Sequence, residues 1–164
     1  MALPFPAITD ARTDGKSKVS QQLLRDYRDR DESLGSCLVD TFFTEVNTNN
    51  TSFAEVHRHS IWLPPVAGTT VKTPSFVLGF RAYMQDAGAV GRVRAKLGTS
   101  GTYVESGDIT DTSYGNPIEL SLPAADCRTN AGQTADLIIE AKRASGTGQI
   151  RLKSEDSISR LEIS

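Results

Sequence analysis

The sequence lacks the features that mark several large classes of protein. Its 164 residues include only two cysteines, Cys37 and Cys127, too few for a disulfide scaffold. No run of 18 apolar residues could cross a membrane, and the N-terminus has neither the positive start nor the apolar stretch of an export signal. A net charge of −2 argues against a protein held on duplex DNA by phosphate contacts. We therefore expect a globular chain with free thiols, with no membrane insertion and no bound nucleic acid.

A pattern that occurs twice organises the chain. Residues 76–97 and 136–154 each contain an alternating run of apolar and polar residues, a turn of small residues, and the sequence Gly-x-(Val/Ile)-Arg-x-Lys. Alternation with a period of two is typical of strands with one buried face, and a Gly-containing turn between two strands predicts a β-hairpin. The pattern therefore predicts two equivalent hairpins in one antiparallel domain.

Turn-forming clusters divide residues 36–164 into eight or nine short strands. The predicted strands are 38–46, 53–63, 76–85, 92–97, 118–122, 137–143, 149–153 and 158–163, with 102–105 as the ninth. Short strands at this spacing after a single helix predict a mainly β fold, an antiparallel β-sandwich of jelly-roll type.

The alternation also predicts which residues face inward and outward on the second strand of each copy, 92–97 and 149–153. Apolar residues are predicted to face inward, and basic residues outward. The outward basic residues are Arg92, Arg94, Lys96, Arg151 and Lys153. If the two hairpins share a sheet, they form a positive contact face for an acidic protein or an anionic glycan. Alternatively, they only solvate that face, with Glu140 and Glu119 balancing their charge.

The first 16 residues cannot build a core of their own. Pro4 and Pro6 impose an extended backbone, and residues 8–16 are polar and turn-prone. We expect an anchoring arm in which Leu3, Phe5 and Ile8 dock on another chain. The alternative is an arm folded back over its own β-domain.

Residues 17–35 predict the one convincing helix, with Ser17 as N-cap and Gly35 as stop. Its apolar stripe is thin because residues 25–32 are almost wholly charged. The stripe comprises Val19, Leu23, Leu24, Tyr27 and Leu34. One such seam fits a helix that bundles with copies of itself, as a trimer, through Leu23, Leu24, Tyr27 and Leu34. The alternative is a helix that covers one end of its own sandwich.

Few residues suggest site chemistry. His57 and His59 share one face of a predicted strand with Glu55, but no compelling third metal ligand accompanies the histidines. Trp62, Tyr103 and Tyr114 could stack on a sugar. A hydrolase would need paired acids, for which the candidates are Glu105, Asp108 and Glu119. We expect no enzymatic activity, no cofactor and no metal.

Residues 3–17, Leu-Pro-Phe-Pro-Ala-Ile-Thr-Asp-Ala-Arg-Thr-Asp-Gly-Lys-Ser, and residues 23–29, Leu-Leu-Arg-Asp-Tyr-Arg-Asp, resemble the opening of small virion proteins of tailed bacteriophages. The resemblance implies an extended arm and a short helix before a β-rich domain. It also implies a head decoration, fibre or adaptor subunit that is commonly trimeric, assembles in the host cytoplasm, and is attached through its arm to capsid or tail proteins. The alternative function is a carbohydrate-binding or host-receptor-binding module at a fibre tip.

Overall fold

Residues 36–38, 43–63, 74–155 and 159–163 are described by the computed structural model of the protein. Two predictions lie outside these ranges and stay predictions. They are the anchoring role of Leu3, Phe5 and Ile8, and the helix with its association residues Leu23, Leu24, Tyr27 and Leu34. The ten strands are β1 (Ser36–Leu38), β2 (Val46–Thr48), β3 (Ala54–Trp62), β4 (Pro74–Met84), β5 (Val90–Leu97), β6 (Val104–Glu105), β7 (Ile118–Leu122), β8 (Thr134–Ser145), β9 (Ile150–Ser154) and β10 (Arg160–Ile163). Within these ranges, a helix of six residues, α1 (Ala124–Thr129), connects β7 to β8.

The strands form two antiparallel sheets, each four strands wide. Sheet I contains six strands. One edge of β4 pairs with β7, and its other edge pairs first with β10 and then with β9. Beyond these, β1 pairs with β10, and β2 pairs with β9. Sheet II has the order β3-β8-β5-β6. The predicted antiparallel β-sandwich is therefore confirmed.

Strand pairing is nested along the chain. β5 pairs with β6, β4 with β7, β3 with β8, and β2 with β9. A long hairpin folded over into two sheets has this pairing, which favours the jelly-roll interpretation of the sandwich.

A buried serine bridges the interruption between β9 and β10. The Ser159 hydroxyl accepts a hydrogen bond from the Gly79 N–H at 3.0 Å and donates to the Gly79 carbonyl at 3.3 Å. The Gly79 carbonyl also accepts a hydrogen bond from the Glu155 N–H at 3.1 Å, so the serine side chain stands in for a backbone partner at the Gly79 N–H.

The core lies between the sheets. The inward residues of β4 include Phe76, Leu78, Phe80 and Met84, all with 0 % exposure. The β5 residues Val93, Ala95 and Leu97 face them from sheet II, also with 0 % exposure. Burial alternates along β5 residue by residue, as predicted.

The structure corrects two predictions about the strands. Residues 38–46 are not one strand, because β1 ends at Leu38 and pairs with β10, whereas β2 begins at Val46 and pairs with β9. The doubled pattern does not form hairpins either: β4 and β9 lie in sheet I, and β5 and β8 lie in sheet II. Each turn therefore crosses from one sheet to the other, and we call residues 85–89 and 146–149 the two arches.

The two copies of the doubled pattern pair with each other. β4 pairs with β9, and β5 pairs with β8. The arches consequently meet at one end of the sandwich, where the Gln85 N–H donates to the Gln149 carbonyl at 2.8 Å and the Thr147 hydroxyl donates to Asp86 at 2.8 Å.

The helix α1 was not predicted, although a proline immediately before Ala-Ala-Asp is a helix-start signal. It carries Cys127, a buried free cysteine. Burial raises the pKa of the Cys127 thiol to about 11. Within the described ranges, no helix is long and apolar enough to span a membrane.

Candidate interaction surfaces

The five outward basic residues do not form one face. Arg92, Arg94 and Lys96 lie on β5 in sheet II, whereas Arg151 and Lys153 lie on β9 in sheet I. A shared positive face would require both copies of the doubled pattern to lie in one sheet. They do not, because each arch crosses from one sheet to the other. The predicted single contact face is therefore wrong in its geometry, while a contact role for either row stays a prediction.

Carboxylates neutralise most of the β5 row, by which we mean the basic residues Arg92, Arg94 and Lys96. Arg92 Nε donates to Asp108 at 2.6 Å and its Nη1 donates to Glu105 at 3.2 Å, which raises the pKa of the Arg92 guanidinium. Arg94 pairs with Glu140 at 2.6 Å. Thus the alternative, in which acids balance this row, describes the surface better than a positive strip. Glu140 contributes to that balance.

Glu119 does not balance the β5 row. It lies on β7 in sheet I, where Arg160 donates to it at 3.1 Å. The three candidate hydrolase acids are therefore divided: Glu105 and Asp108 share Arg92 beside sheet II, and Glu119 belongs to the other sheet.

A row of alternating cations and aromatic rings crosses the outer face of sheet II. The Arg94 guanidinium carbon lies 4.1 Å from the ring centre of Phe53 and 3.9 Å from that of Tyr103. Lys142 continues the row beyond Phe53 at 4.2 Å, and Lys96 continues it beyond Tyr103 at 4.7 Å. Contacts of this kind contribute about 0.5 to 1 kcal/mol each at exposed sites, so together they brace the sheet from outside.

This outer face also holds a small apolar centre. Ile138 on β8 points away from the sandwich core, since its neighbours Leu137 and Ile139 face inward, yet it is only 4 % exposed. In the strand register it lies opposite Arg58 on β3 and Lys96 on β5, whose aliphatic stems can cover it.

Glu140 is the acidic centre of this face, with 14 % of its side chain exposed. It accepts hydrogen bonds from Arg94 and from the Tyr103 hydroxyl. Burial and the bond to Glu140 raise the pKa of Tyr103.

We expect Glu140→Ala to lower the free energy of unfolding by about 1 to 3 kcal/mol, because it leaves Arg94 without its carboxylate partner. The matched control is Glu119→Ala, which removes a pair whose carboxylate is 46 % exposed and should cost below about 1 kcal/mol. Urea unfolding at pH 7, followed by circular dichroism, measures both. Equal losses would show that the outer face of sheet II is not braced through Glu140.

Sheet I has a polar aromatic cluster on its own outer face. Tyr114 contacts Tyr83 edge to face with 4.7 Å between the ring centres. Glu45 accepts hydrogen bonds from the Tyr114 hydroxyl at 2.6 Å and from Arg151 at 2.7 Å, and both bonds lower the pKa of Glu45. Lys153 lies 4.7 Å from the Tyr114 ring centre. Burial and the bond to Glu45 raise the pKa of Tyr114.

The predicted sugar-stacking residues are thus already in contact with other side chains. Arg94 and Lys96 lie against the Tyr103 ring, and Lys153 lies against the Tyr114 ring. The side chain of Trp62 lies outside the described part of the structure.

His57 and His59 lie on the inner side of β3. They are opposite the fully buried Ile139 and Leu137 on β8, and residues opposite each other in a ladder share a face. A β-bulge between Glu55 and His57 shifts the register. The bulge leaves Glu55 on the outer side, where it accepts two hydrogen bonds from Arg58, so the prediction that Glu55 shares their face is wrong. Within the ranges that the structure describes, no three potential ligands cluster around a metal position.

Comparison with known proteins identifies no family. No protein-family model matches the sequence, and no curated protein matches it. A solved structure entitled "Structure of infectious bursal disease virus Gt strain" matches with 11 % identity and a TM-score of 0.39, over 77 % of this chain and 31 % of that chain. This chain therefore covers less than a third of the length of the chain it matches. At this identity and TM-score the likeness carries no argument about function.

Proposed function

We propose that the chain is a non-enzymatic structural subunit of a virus particle, of the tailed-phage type that residues 3–17 and 23–29 resemble. In this proposal it is a head decoration, fibre or adaptor protein, and its partners are capsid or tail proteins and further copies of itself.

The observation that carries the proposal is the internal pairing of the arginines on the outer faces. Arg92 and Arg94 of sheet II and Arg151 of sheet I each bond a carboxylate of the same domain. Such pairing holds side chains in place, which suits a stiff wall better than a face kept ready for an anionic partner. We therefore assign attachment to the particle to the N-terminal segment.

The fold gives that segment a defined point of entry. In the chain this segment is followed by β1, an edge strand of sheet I that pairs with β10 through Ser36↔Glu162, Cys37↔Leu161 and Leu38↔Arg160.

Within this proposal the N-terminal residues have two roles, anchoring and self-association. Leu3, Phe5 and Ile8 anchor the subunit on a neighbouring virion protein. Leu23, Leu24, Tyr27 and Leu34 associate with the same residues of other copies, with a trimer favoured.

Deleting residues 2–16 is expected to weaken attachment to particles at least about 100-fold. Burial of even two large apolar side chains contributes about 3 kcal/mol, which corresponds to that factor. Co-sedimentation with particles that lack the protein measures the attachment, and circular dichroism confirms that the truncated chain retains its β-domain. Undiminished affinity of the folded, truncated protein would show that the arm is not the anchor.

A control variant separates anchoring from self-association. Leu24→Asp combined with Tyr27→Asp leaves the arm intact and places two charges in the apolar stripe. Light scattering should then report a folded monomer; an unchanged oligomer would contradict the role given to the helix.

The alternative function is a glycan- or receptor-binding module at a fibre tip. No contact among the described residues favours it. The cations that lie against Tyr103 and Tyr114 compete with a sugar ring for those faces.

A further inference from the structure

Two histidines lie side by side on the inner side of an edge strand. β8 is the only described strand that pairs with β3, and His57 and His59 project from β3 toward the interior of the sandwich. Their rings are nearly parallel, at 16°, with centres 6.2 Å apart. On its other side His57 meets Phe43, whose ring centre is 4.8 Å away and whose side chain is 4 % exposed.

The described part of the domain does not satisfy both ring nitrogens of His57. Its Nε2 atom is buried and has no hydrogen-bond partner among the described residues. A neutral imidazole tolerates one unpartnered nitrogen at modest cost, but an imidazolium carries an N–H donor on both nitrogens and a full charge. The site is therefore built for the neutral ring.

The charged groups that act on His57 lie on its own strand. His59 disfavours a second positive charge, and Glu55 favours one, but Glu55 lies across the bulge and already bonds Arg58. From β8 the opposing residue is Ile139, and from residues 43–48 the contacting residue is Phe43; both are apolar. Glu45 faces away, toward Tyr114 and Arg151 on the outer face of sheet I.

We infer that the His57–His59 pair is an acid-sensitive contact at the edge of the sandwich, where protonation of His57 loosens β3 from the segment 43–48. Charging the ring requires either water to reach the buried Nε2 or the ring to leave Phe43. Both outcomes loosen β3 from the segment 43–48, while β5, which pairs with β6 and β8, stays closed.

The sign of the pH dependence follows from the environment of His57. Burial, reinforced by His59, lowers the pKa of His57 below its ordinary value of 6.5. Between the lowered value and 6.5 the open state binds more protons than the closed state. The stabilising effect of the neutral pair is therefore complete above pH 6.5 and is lost as the pH falls through the lowered pKa. Glu45, Glu55 and Asp136 have lowered pKa values, so these carboxylates remain charged in this window.

Hydrogen exchange on the full-length protein at pH 7.5 and pH 5.5, corrected for intrinsic rates, tests the inference. Protection of β3 amides should fall by up to about tenfold for each pH unit between the two pKa values, while protection of β5 amides should not change. Equal changes in β3 and β5, or no change in β3, would overturn it.

A pair of variants assigns the effect to one ring. His57→Phe keeps an aromatic contact with Phe43 and removes both the proton and the unpartnered nitrogen, so the pH dependence at β3 should disappear. His59→Gln should weaken the pH dependence but not remove it. If His57→Phe retains the full pH dependence, or His59→Gln alone abolishes it, the inference is wrong.

A third measurement does not depend on the folding of either variant. NMR titration of the histidine ring protons in the unmodified protein should show His57 titrating below 6.5. A value at or above 6.5 would overturn the inference even if neither variant folds.

Discussion

Gly146→Ala is expected to lower the free energy of unfolding by about 1 to 3 kcal/mol more than Gly88→Ala. Both glycines have a φ of +77°, in the left-handed region that costs other residues about 1 to 2 kcal/mol. An added Cβ at Gly88 meets no atom within 4 Å. At Gly146 it would lie 2.6 Å from the Cα atom of Ala89, which belongs to the other arch and is buried. The difference between the variants therefore isolates the contact between the arches.

Urea unfolding at pH 7, followed by circular dichroism, gives the two free energies. Because both substitutions require the same backbone conformation, its cost cancels in the comparison. Equal losses at the two positions would mean that the arches do not pack against each other, and the mutual pairing of the doubled pattern would then need revision.

Phe80→Ala is expected to cost about 3 to 5 kcal/mol, and Phe53→Ala only about 1 to 2 kcal/mol. Phe80 has 0 % exposure and lies on β4, where both β7 and β9 pair with it. Its removal leaves a cavity between the sheets that packed strands cannot collapse to fill. Phe53 lies on the outer face of sheet II, where its ring contacts Arg94 and Lys142.

The two variants remove the same type of side chain, one from the core between the sheets and one from the outer face of sheet II. Thermal or urea unfolding of both measures the contrast. A loss at Phe53 as large as that at Phe80 would show that the outer face of sheet II is itself buried in the full protein. That result would also locate a surface that a partner covers.

Much of the β-domain could be predicted because the signals are local. The alternation in residues 92–97 predicts which side chains face the core, and Val93, Ala95 and Leu97 are all fully buried. The strand at 118–122 has the predicted bounds. Both results depend only on a period of two and on nearby turn residues, which act over a few positions.

Predictions about the candidate sites held up less well, because a single local irregularity can invert them. The bulge between Glu55 and His57 adds one residue to β3 and separates side chains that simple alternation places together. No residue in this stretch is a glycine or proline that would signal the bulge. Likewise, a turn that joins two paired strands and one that crosses between sheets both contain glycine, so the arches were mistaken for hairpins.

By itself, the sequence determined that this protein has a β-domain, which residues of β5 and β9 are buried, and which basic residues point outward. Only the tertiary structure decided that the two basic rows lie on different sheets and that arginines meet carboxylates far along the chain. Arg94 bonds Glu140, 46 residues away, and Arg151 bonds Glu45, 106 residues away. The physical reason is that side-chain direction depends on local backbone geometry, whereas strand partners are selected by the burial and hydrogen bonding of the whole domain.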